Sequence, residues 1–510
     1  MTYNKTNMKF TKISNSLISK AQFESYLKNI FILGRKPYFW ILFATILLYL
    51  PTITFNFYPQ DDEALILNKM DWLANPKNIF EFLSTPTFGV LYRPILTLSL
   101  SLDAILGGNS PILFNLTNLL LHCIFSVLLF QFLVIIKTKR VTSFFIALLF
   151  AFHPINNGAV VWIPGRNDIL LAIFCLSSFI FFIKFIQSNN LIHGIVCSLL
   201  YFLALLTKEN AIVLPFLFLA YYLILNCKIN TKSLFGFFGI IGVTSIIWKA
   251  IHSSVVPSVN ILDYFVSNVN YVTVSRFFSS ILISLSKIVL LLNLQAFPTD
   301  ETISIIPGVF TLLFLLALIL ILKIKENTCF PIFGVIWFFA FITIPMIFSS
   351  LENSFQYEHR LYLPCIGILI IFSQVSLINS IRAIYKYIFI FVLMVFVVIS
   401  QHRFDVFNNP IQYYSLKIEN FPQDYTSYNL RAHTYQWLGE YELAILDFTK
   451  LLESSIQPYK IYNNRGLCYE KIGDYHNALV DYQTANALLP NNKVILLNIE
   501  IIENMIKSNE

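Results

Sequence analysis

Twelve apolar runs follow one another between residues 38 and 401, all but one at least 17 residues long. They fall roughly at 38–56, 112–136, 141–153, 168–187, 190–206, 210–226, 232–251, 276–296, 304–323, 330–349, 361–379 and 385–401. A helix of about 20 apolar residues crosses the hydrocarbon core of a bilayer, where the backbone finds no hydrogen-bond partner but itself. The pattern therefore specifies an all-α, polytopic transmembrane helix bundle. Only 12% of the 510 residues are charged, about half the usual share of a soluble domain at roughly 25%.

The formal charge of +7 is unevenly spread. From Arg403 onward 9 basic residues face 13 acidic ones, which leaves 26 basic against 15 acidic in the remainder. That excess sits in short loops between apolar runs, where it sets orientation and gives no reason to expect nucleic acid. Residues 1–36 carry seven Lys/Arg and one acid, Glu24, so this N-terminal segment is expected in the cytoplasm. The first apolar run lacks a small-residue cleavage site and reads as an uncleaved span. Lys287 in the middle of 276–296 carries an insertion cost of about 2.5–3.5 kcal/mol. We expect that segment not to cross, giving a membrane domain over 37–402 with about eleven crossings. Residues 57–111 form an outer loop, including an amphipathic stretch from Ile95 to Leu106 that suits an interfacial helix. Seven cysteines without CxxC spacing indicate neither a disulfide framework nor a zinc site.

After residue 403 the chain turns polar and repeats itself. Gly439-Glu-Tyr441 and Gly473-Asp-Tyr475 are 34 residues apart, as are Tyr428 and Tyr462, Tyr435 and Tyr469, Ala444 and Ala478, and Phe448 and Tyr482. A 34-residue period of small and aromatic residues is the tetratricopeptide signature. Residues 403–510 are thus a C-terminal repeat domain, with repeats at about 425–458 and 459–492 and a capping helix at about 496–506. Such arrays offer a groove to a protein or peptide ligand.

Ionisable residues at the membrane boundary are costly and mark function or buried pairing. Asp61 and Asp62 head the first outer loop, and adjacent carboxylates raise one another's affinity for a proton, as a general base requires. Arg93, His122, His153, Arg166, Asp168, Lys208, Glu209, Glu358, His359 and Arg360 complete the set. Each alone reads more simply as a snorkelling anchor or a satisfied buried pair. With 276–296 not crossing, all but the span residue His122 gather on the outer side, where acids activate a nucleophile and cations hold a phosphate. A sugar on a polyprenyl phosphate presents its headgroup at that depth.

These stretches resemble a known family. Asp61-Asp62 with Asn68, Tyr92-Arg93-Pro94-Ile95, Phe114-Asn115-Leu116-Thr117-Asn118 to His122, and Phe152-His153-Pro154 to Gly165-Arg166-Asn167-Asp168 come in its order. Leu206-Thr207-Lys208-Glu209 and Glu358-His359-Arg360-Leu361-Tyr362-Leu363-Pro364 follow. Over about residues 38–400 the chain is similar to the transmembrane-and-tetratricopeptide glycosyltransferases related to protein O-mannosyltransferases, which have the GT-C fold. The resemblance implies an inverting, mannosyltransferase-like enzyme with a lipid-phosphate sugar donor. One of Asp61/Asp62 would be the catalytic carboxylate, and the repeats would share the site's compartment. Two departures stand out: Asn156-Asn157 occupies the stretch where an acid often follows His-Pro, and Arg360 falls one step later than the family's Glu-Arg.

The expectation is an integral membrane glycosyltransferase, in contact with membrane lipids, that passes a sugar from a polyprenyl-phosphate donor to an acceptor hydroxyl on the outer face. No cofactor and no metal is expected, because no further acid is spaced to complete a cage. Ile/Asn/Lys/Phe-rich usage and a short array point to a bacterial inner membrane. The alternative is a non-catalytic membrane-anchored scaffold whose repeats recruit a protein.

Overall fold

The computed structural model describes residues 30–58, 61–87, 91–225, 229–256, 271–295, 304–323, 329–351, 357–374, 383–454 and 458–509. Most of the N-terminal basic segment, along with Cys227, Lys228, Lys325 and Arg382, lies outside them. Number the helices of ten residues or more in chain order. In the membrane domain they are α1 (Lys36–Tyr49), α2 (Pro94–Gly107), α3 (Pro111–Ile135), α4 (Arg140–Phe152), α5 (Arg166–Ser188), α6 (Leu191–Thr207) and α7 (Leu214–Ile224). Then come α8 (Thr231–Val255), α9 (Tyr271–Leu290), α10 (Ile306–Lys323), α11 (Cys329–Leu351), α12 (Tyr362–Ser373) and α13 (Ala383–Asn408). The tail holds α14 (Pro410–Asn420), α15 (Tyr425–Leu438), α16 (Tyr441–Leu451), α17 (Pro458–Lys471), α18 (Tyr475–Leu488) and α19 (Lys493–Asn509).

Among the described residues, seven helices are long and apolar enough to cross a membrane. An eighth candidate is α4 joined to Pro154–Val161 across a 48° bend. Four shorter apolar helices accompany them, among them α2, the amphipathic stretch of the outer loop. Proline opens several helices where a missing N–H is harmless, as at Pro37 of α1 and Pro111 of α3. Between α5 and α6 the chain reverses on Asn189 at φ 52°, and Asn190 Oδ1 caps α6 by accepting the Ile192 N–H at 2.9 Å.

With lipid outside, hydrophobicity does not drive helices together, so packing does. A Cβ on Gly334 of α11 would lie 2.6 Å from the Gly367 carbonyl of α12, so only glycine permits that approach. Rings of Phe132, Phe179, Phe182, Phe218, Phe237 and Trp337 fill the centre. Phe39, Leu47, Phe216, Phe235 and Ile246 point outward, as a lipid-facing surface requires.

The tail begins without a break. The last apolar run ends near 401, yet α13 continues to Asn408, because Phe404 and Phe407 are buried and Arg403 is paired. In the repeats, Gly439 and Gly473 both end their helices at φ 82°, a left-handed position that glycine reaches without strain. A Cβ on Gly466 would meet the Tyr482 ring at 2.9 Å. Two ion pairs repeat with the same offset: Arg431 grips Asp447, and Arg465 grips Asp481, each through two bonds of 2.8 Å. Arg431 Nη1 also donates to Ser415 Oγ, and Arg465 Nη1 to Thr449 Oγ1, both at 3.0 Å. Ser415 is 34 residues before Thr449, and buried Tyr414, Phe448 and Tyr482 keep that step. Helix α14 therefore takes the place of the second helix of a preceding repeat. The closing helix α19 spans more than the expected 496–506 and packs Ile499, Ile502 and Ile506 against α18.

Candidate functional site

Asp61–Leu65 form a single helical turn, seated by Leu65 and Ile66 against Leu96, Leu100 and Phe114. The two acids differ sharply. Asp62 is fully buried, and its Oδ2 accepts the Tyr58 N–H at 2.7 Å. Its Oδ1 has no hydrogen-bond partner among the described residues. Burial, reinforced by the charge of Asp61 and opposed by Tyr58 N–H and Arg166, pushes the Asp62 carboxyl up to about 8. Asp61 is half-buried, and desolvation raises it above the ordinary carboxylate range. Tyr357 stands within electrostatic reach of both Asp61 and Arg360.

Helix α5 starts beneath this turn. Arg166 is fully buried and spends its donors on the protein: Nε on Asn118 Oδ1 at 2.7 Å, Nη1 on Ser99 Oγ at 2.8 Å and Nη2 on the Phe114 carbonyl at 2.8 Å. Its Nη2 also lies 2.6 Å from Asp103 Oδ2. Arg166 thus pins α2 and α3 to α5. Asn118 completes the pin by donating to the carbonyls of Val160 and Trp162, both at 3.2 Å. His122, one turn further along α3, is buried away from the acids, with Nδ1 2.7 Å from Tyr362 Oη and Nε2 3.1 Å from the Ala151 carbonyl.

The remaining charges form two networks. In the first, Lys208 Nζ donates to both oxygens of Asp168, at 2.8 and 3.0 Å. His359 Nε2 is 3.9 Å from Asp168 Oδ2. Desolvation, with Lys208, Arg360 and Arg93 adding repulsion against the pull of Asp168, lowers His359 to about 3, so this contact is between a neutral ring and a carboxylate. Arg93 Nη2 binds Glu209 Oε1 at 3.1 Å. With its amide turned to suit, Asn167 accepts from Arg93 Nη1 at 3.0 Å and donates to the Thr207 carbonyl at 2.8 Å. Trp162 lies against the His359 ring, centroids 4.8 Å apart, and the Arg360 guanidinium sits 5.2 Å from the Tyr357 ring centre. In the second network Glu358 meets Lys287 and Arg403. Beside it, His153 Nε2 lies 2.9 Å from the Ile288 carbonyl. The lysine whose cost argued against insertion is thus buried beside a carboxylate.

Arg93, Asp168, Lys208, Glu209, His359 and Arg360 therefore share one neighbourhood, with three cations around His359, and Tyr357 stands between Arg360 and Asp61. Sequence reasoning did not find Asp103, Ser99, Trp162, Lys287 as a partner of Glu358, or Arg403. Asp103 carried a signal, being the one acid within the amphipathic stretch. Among the described residues no three His, Cys, Asp or Glu side chains group closely enough to hold a metal ion.

Fold and site together define a polytopic, all-helical integral membrane protein with a paired-charge site and a short tetratricopeptide array. Residues 425–455 and 459–492 match the tetratricopeptide repeat family. The chain is 33% identical over 144 residues to Protein O-mannosyl-transferase TMTC2 of Homo sapiens, covering 27% of this chain and 17% of that protein. It is 38% identical over 90 residues to Protein O-mannosyl-transferase TMTC1 of Homo sapiens, 18% of this chain and 10% of that protein. Against Protein O-mannosyl-transferase Tmtc1 of Drosophila melanogaster it is 29% identical over 172 residues, 32% and 20% of the two chains. The chain is thus homologous, over part of its length, to proteins named protein O-mannosyl-transferases, and its matches span a fifth or less of these relatives' length.

Proposed function

We propose that this protein transfers a sugar, mannose by analogy with the names of its relatives, from a polyprenyl phosphate to a protein hydroxyl. The observation that carries the reading is the half-buried Asp61, with its raised proton affinity, within reach of Tyr357, whose neighbour Arg360 joins Arg93 and Lys208 around His359. Asp61 removes the acceptor's hydroxyl proton, and the oxygen attacks the anomeric carbon from the face opposite the phosphate. The bond from that carbon to the phosphate oxygen breaks, and the configuration inverts. Arg93, Lys208 and Arg360 stabilise the negative charge left on the lipid phosphate. Asp62, buried and protonated near neutral pH, holds the turn in place.

On this reading the chain makes about eleven crossings, the shorter apolar helices adding to the seven or eight longer candidates. Arg140 Nε donates to the Ile32 carbonyl at 2.9 Å, which sets the start of α4 beside the start of α1. The far end of α1 reaches Asn157 through Tyr49 Oη at 2.9 Å. His252, near the end of α8, meets Tyr92, and Gly308 of α10 lies against Leu282, five residues before Lys287. On this reading α9 does not cross alone, and these two contacts support it. The basic side, with Arg35, Lys36, Lys137, Lys139 and Arg140, then faces the cytoplasm. The site and the repeats face outward, to the periplasm in a bacterium or the lumen in a eukaryote. On this reading the repeats bind the protein acceptor.

A second reading has one observation behind it: Lys208 and Arg93 are already matched by Asp168 and Glu209, as a non-catalytic scaffold would require for stability alone. The deciding experiment supplies purified protein in lipid nanodiscs with a polyprenyl-phosphate mannose and hydroxyl-bearing peptides. Transfer that disappears in Asp61→Asn supports the enzyme; equal rates in variant and parent overturn the proposed base.

A further inference from the structure

Glu358 is held from three directions. Lys287 Nζ of α9 donates to Oε1 at 3.1 Å, the Gln295 backbone N–H donates to the same oxygen at 2.6 Å, and Arg403 Nη2 of α13 donates to Oε2 at 2.7 Å. Arg403 Nη2 also lies 3.5 Å from the Gln295 carbonyl. The side chains of Lys287, Glu358 and Arg403 are each more than nine-tenths buried. A carboxylate whose two oxygens are both taken by charge-assisted bonds cannot turn, and it fixes the backbone that carries it. That backbone is the turn Glu358–Leu361, and its next two residues, His359 and Arg360, join Asp168 and Lys208 in the other network.

We infer that Glu358 is a positioning residue, which holds the turn bearing His359 and Arg360 against α9 and α13 and so sets where those side chains meet the donor phosphate. This inference rests on the transferase reading for its ligand, though not for its geometry. It also ties the site to the repeats, because Arg403 lies on the helix that leads directly into them. Glu358 touches no substrate on this account; it acts through its two successors.

The test uses the full chain in nanodiscs, with Glu358→Gln, Arg403→Gln and Arg403→Lys. Two readouts are taken: KM and kcat for transfer from polyprenyl-phosphate mannose, and hydrogen exchange of the amides at 358–361, which needs no turnover. Losing a charge-assisted bond predicts a kcat/KM for the donor lowered about tenfold or more in Glu358→Gln. Amides of the turn exchange faster. Arg403→Gln shifts both readouts in the same direction, and Arg403→Lys, which keeps the charge, recovers part of each. An unchanged kcat/KM for the donor, or wild-type exchange in the turn of Glu358→Gln, overturns the inference. If Glu358→Gln fails to fold, the Arg403 pair decides by the same criteria. Should the wild type transfer from no polyprenyl-phosphate donor, the transferase reading fails, and the exchange data still decide whether Glu358 fixes the turn.

Discussion

The backbone N–H of Tyr58 donates to Asp62 Oδ2 at 2.7 Å, and this bond sets two neighbouring acids in different surroundings. Asp62 is turned inward and buried, which leaves Asp61 as the half-exposed member of the pair. Asp61→Asn should therefore lower transfer by the amount a lost general base costs, on the order of 10²- to 10⁴-fold. Asp62→Asn keeps an acceptor for Tyr58 and should retain most of the activity. Initial rates of the two variants, measured side by side, check the assignment. The reverse order would move the base to Asp62.

The same burial makes stability depend on pH. The folded Asp62 binds its proton up to about pH 8, whereas an unfolded chain releases it near 3.8. Between these values the native state holds the extra proton, so stability falls as pH rises across this window. The contribution is fully present below pH 3.8 and lost by about pH 8. Thermal unfolding followed from pH 5 to 8.5 should show this slope in the wild type and a flatter one in Asp62→Asn. Matching slopes would contradict the buried, protonated state.

Lys208→Met strands the Asp168 carboxylate in a site with little water. Breaking a buried pair from one side typically costs about 3–5 kcal/mol, so the variant should unfold at a clearly lower temperature. Adding Asp168→Leu should restore most of that loss, because neither charge is then left alone. Donor binding should not return with it, since the cation is still missing. Unfolding curves and equilibrium binding of polyprenyl phosphate separate the two effects.

Side-specific labelling tests the arrangement across the bilayer. Cysteines placed at Lys77 in the outer loop and at Lys450 in the repeats should react with an impermeant reagent from one side. One at Lys139 should react only from the other. The native thiols leave a low background, because among the described residues five of six cysteines are buried. Labelling of positions 77 and 450 from opposite sides would remove the shared compartment.

How much of this was readable in advance depended on range. The repeats were legible because one 34-residue step brings Tyr428 onto Tyr462 and Ala444 onto Ala478, a comparison that needs no packing. The same step relates Arg431 to Arg465 and Asp447 to Asp481, yet a salt bridge is a contact between helices and does not show as a period. The helix from Pro94 to Gly107 followed from its amphipathic pattern. The partners within the site did not follow, since they sit far apart in the chain. Asp168 and Lys208 are 40 residues apart, His122 and Tyr362 are 240, and Lys287 and Glu358 are 71. Asn118 and His122 share a helix face as spacing predicts, yet one serves Arg166 and the other Tyr362. Charge alone marked Arg166 as a ligand for phosphate, while its occupied donors show a bolt between helices.

Helix α14 fills the slot of a half-repeat and follows the last membrane helix after the single residue Asn409, so the array starts directly at the membrane domain. A polypeptide lying in its groove would be held at one height and one heading above the bilayer, as a workpiece is held by a jig bolted to the bench. Which hydroxyls come within reach would then be governed by how many residues separate them from the gripped segment. The protein would measure its acceptors by distance along the chain as much as by local sequence.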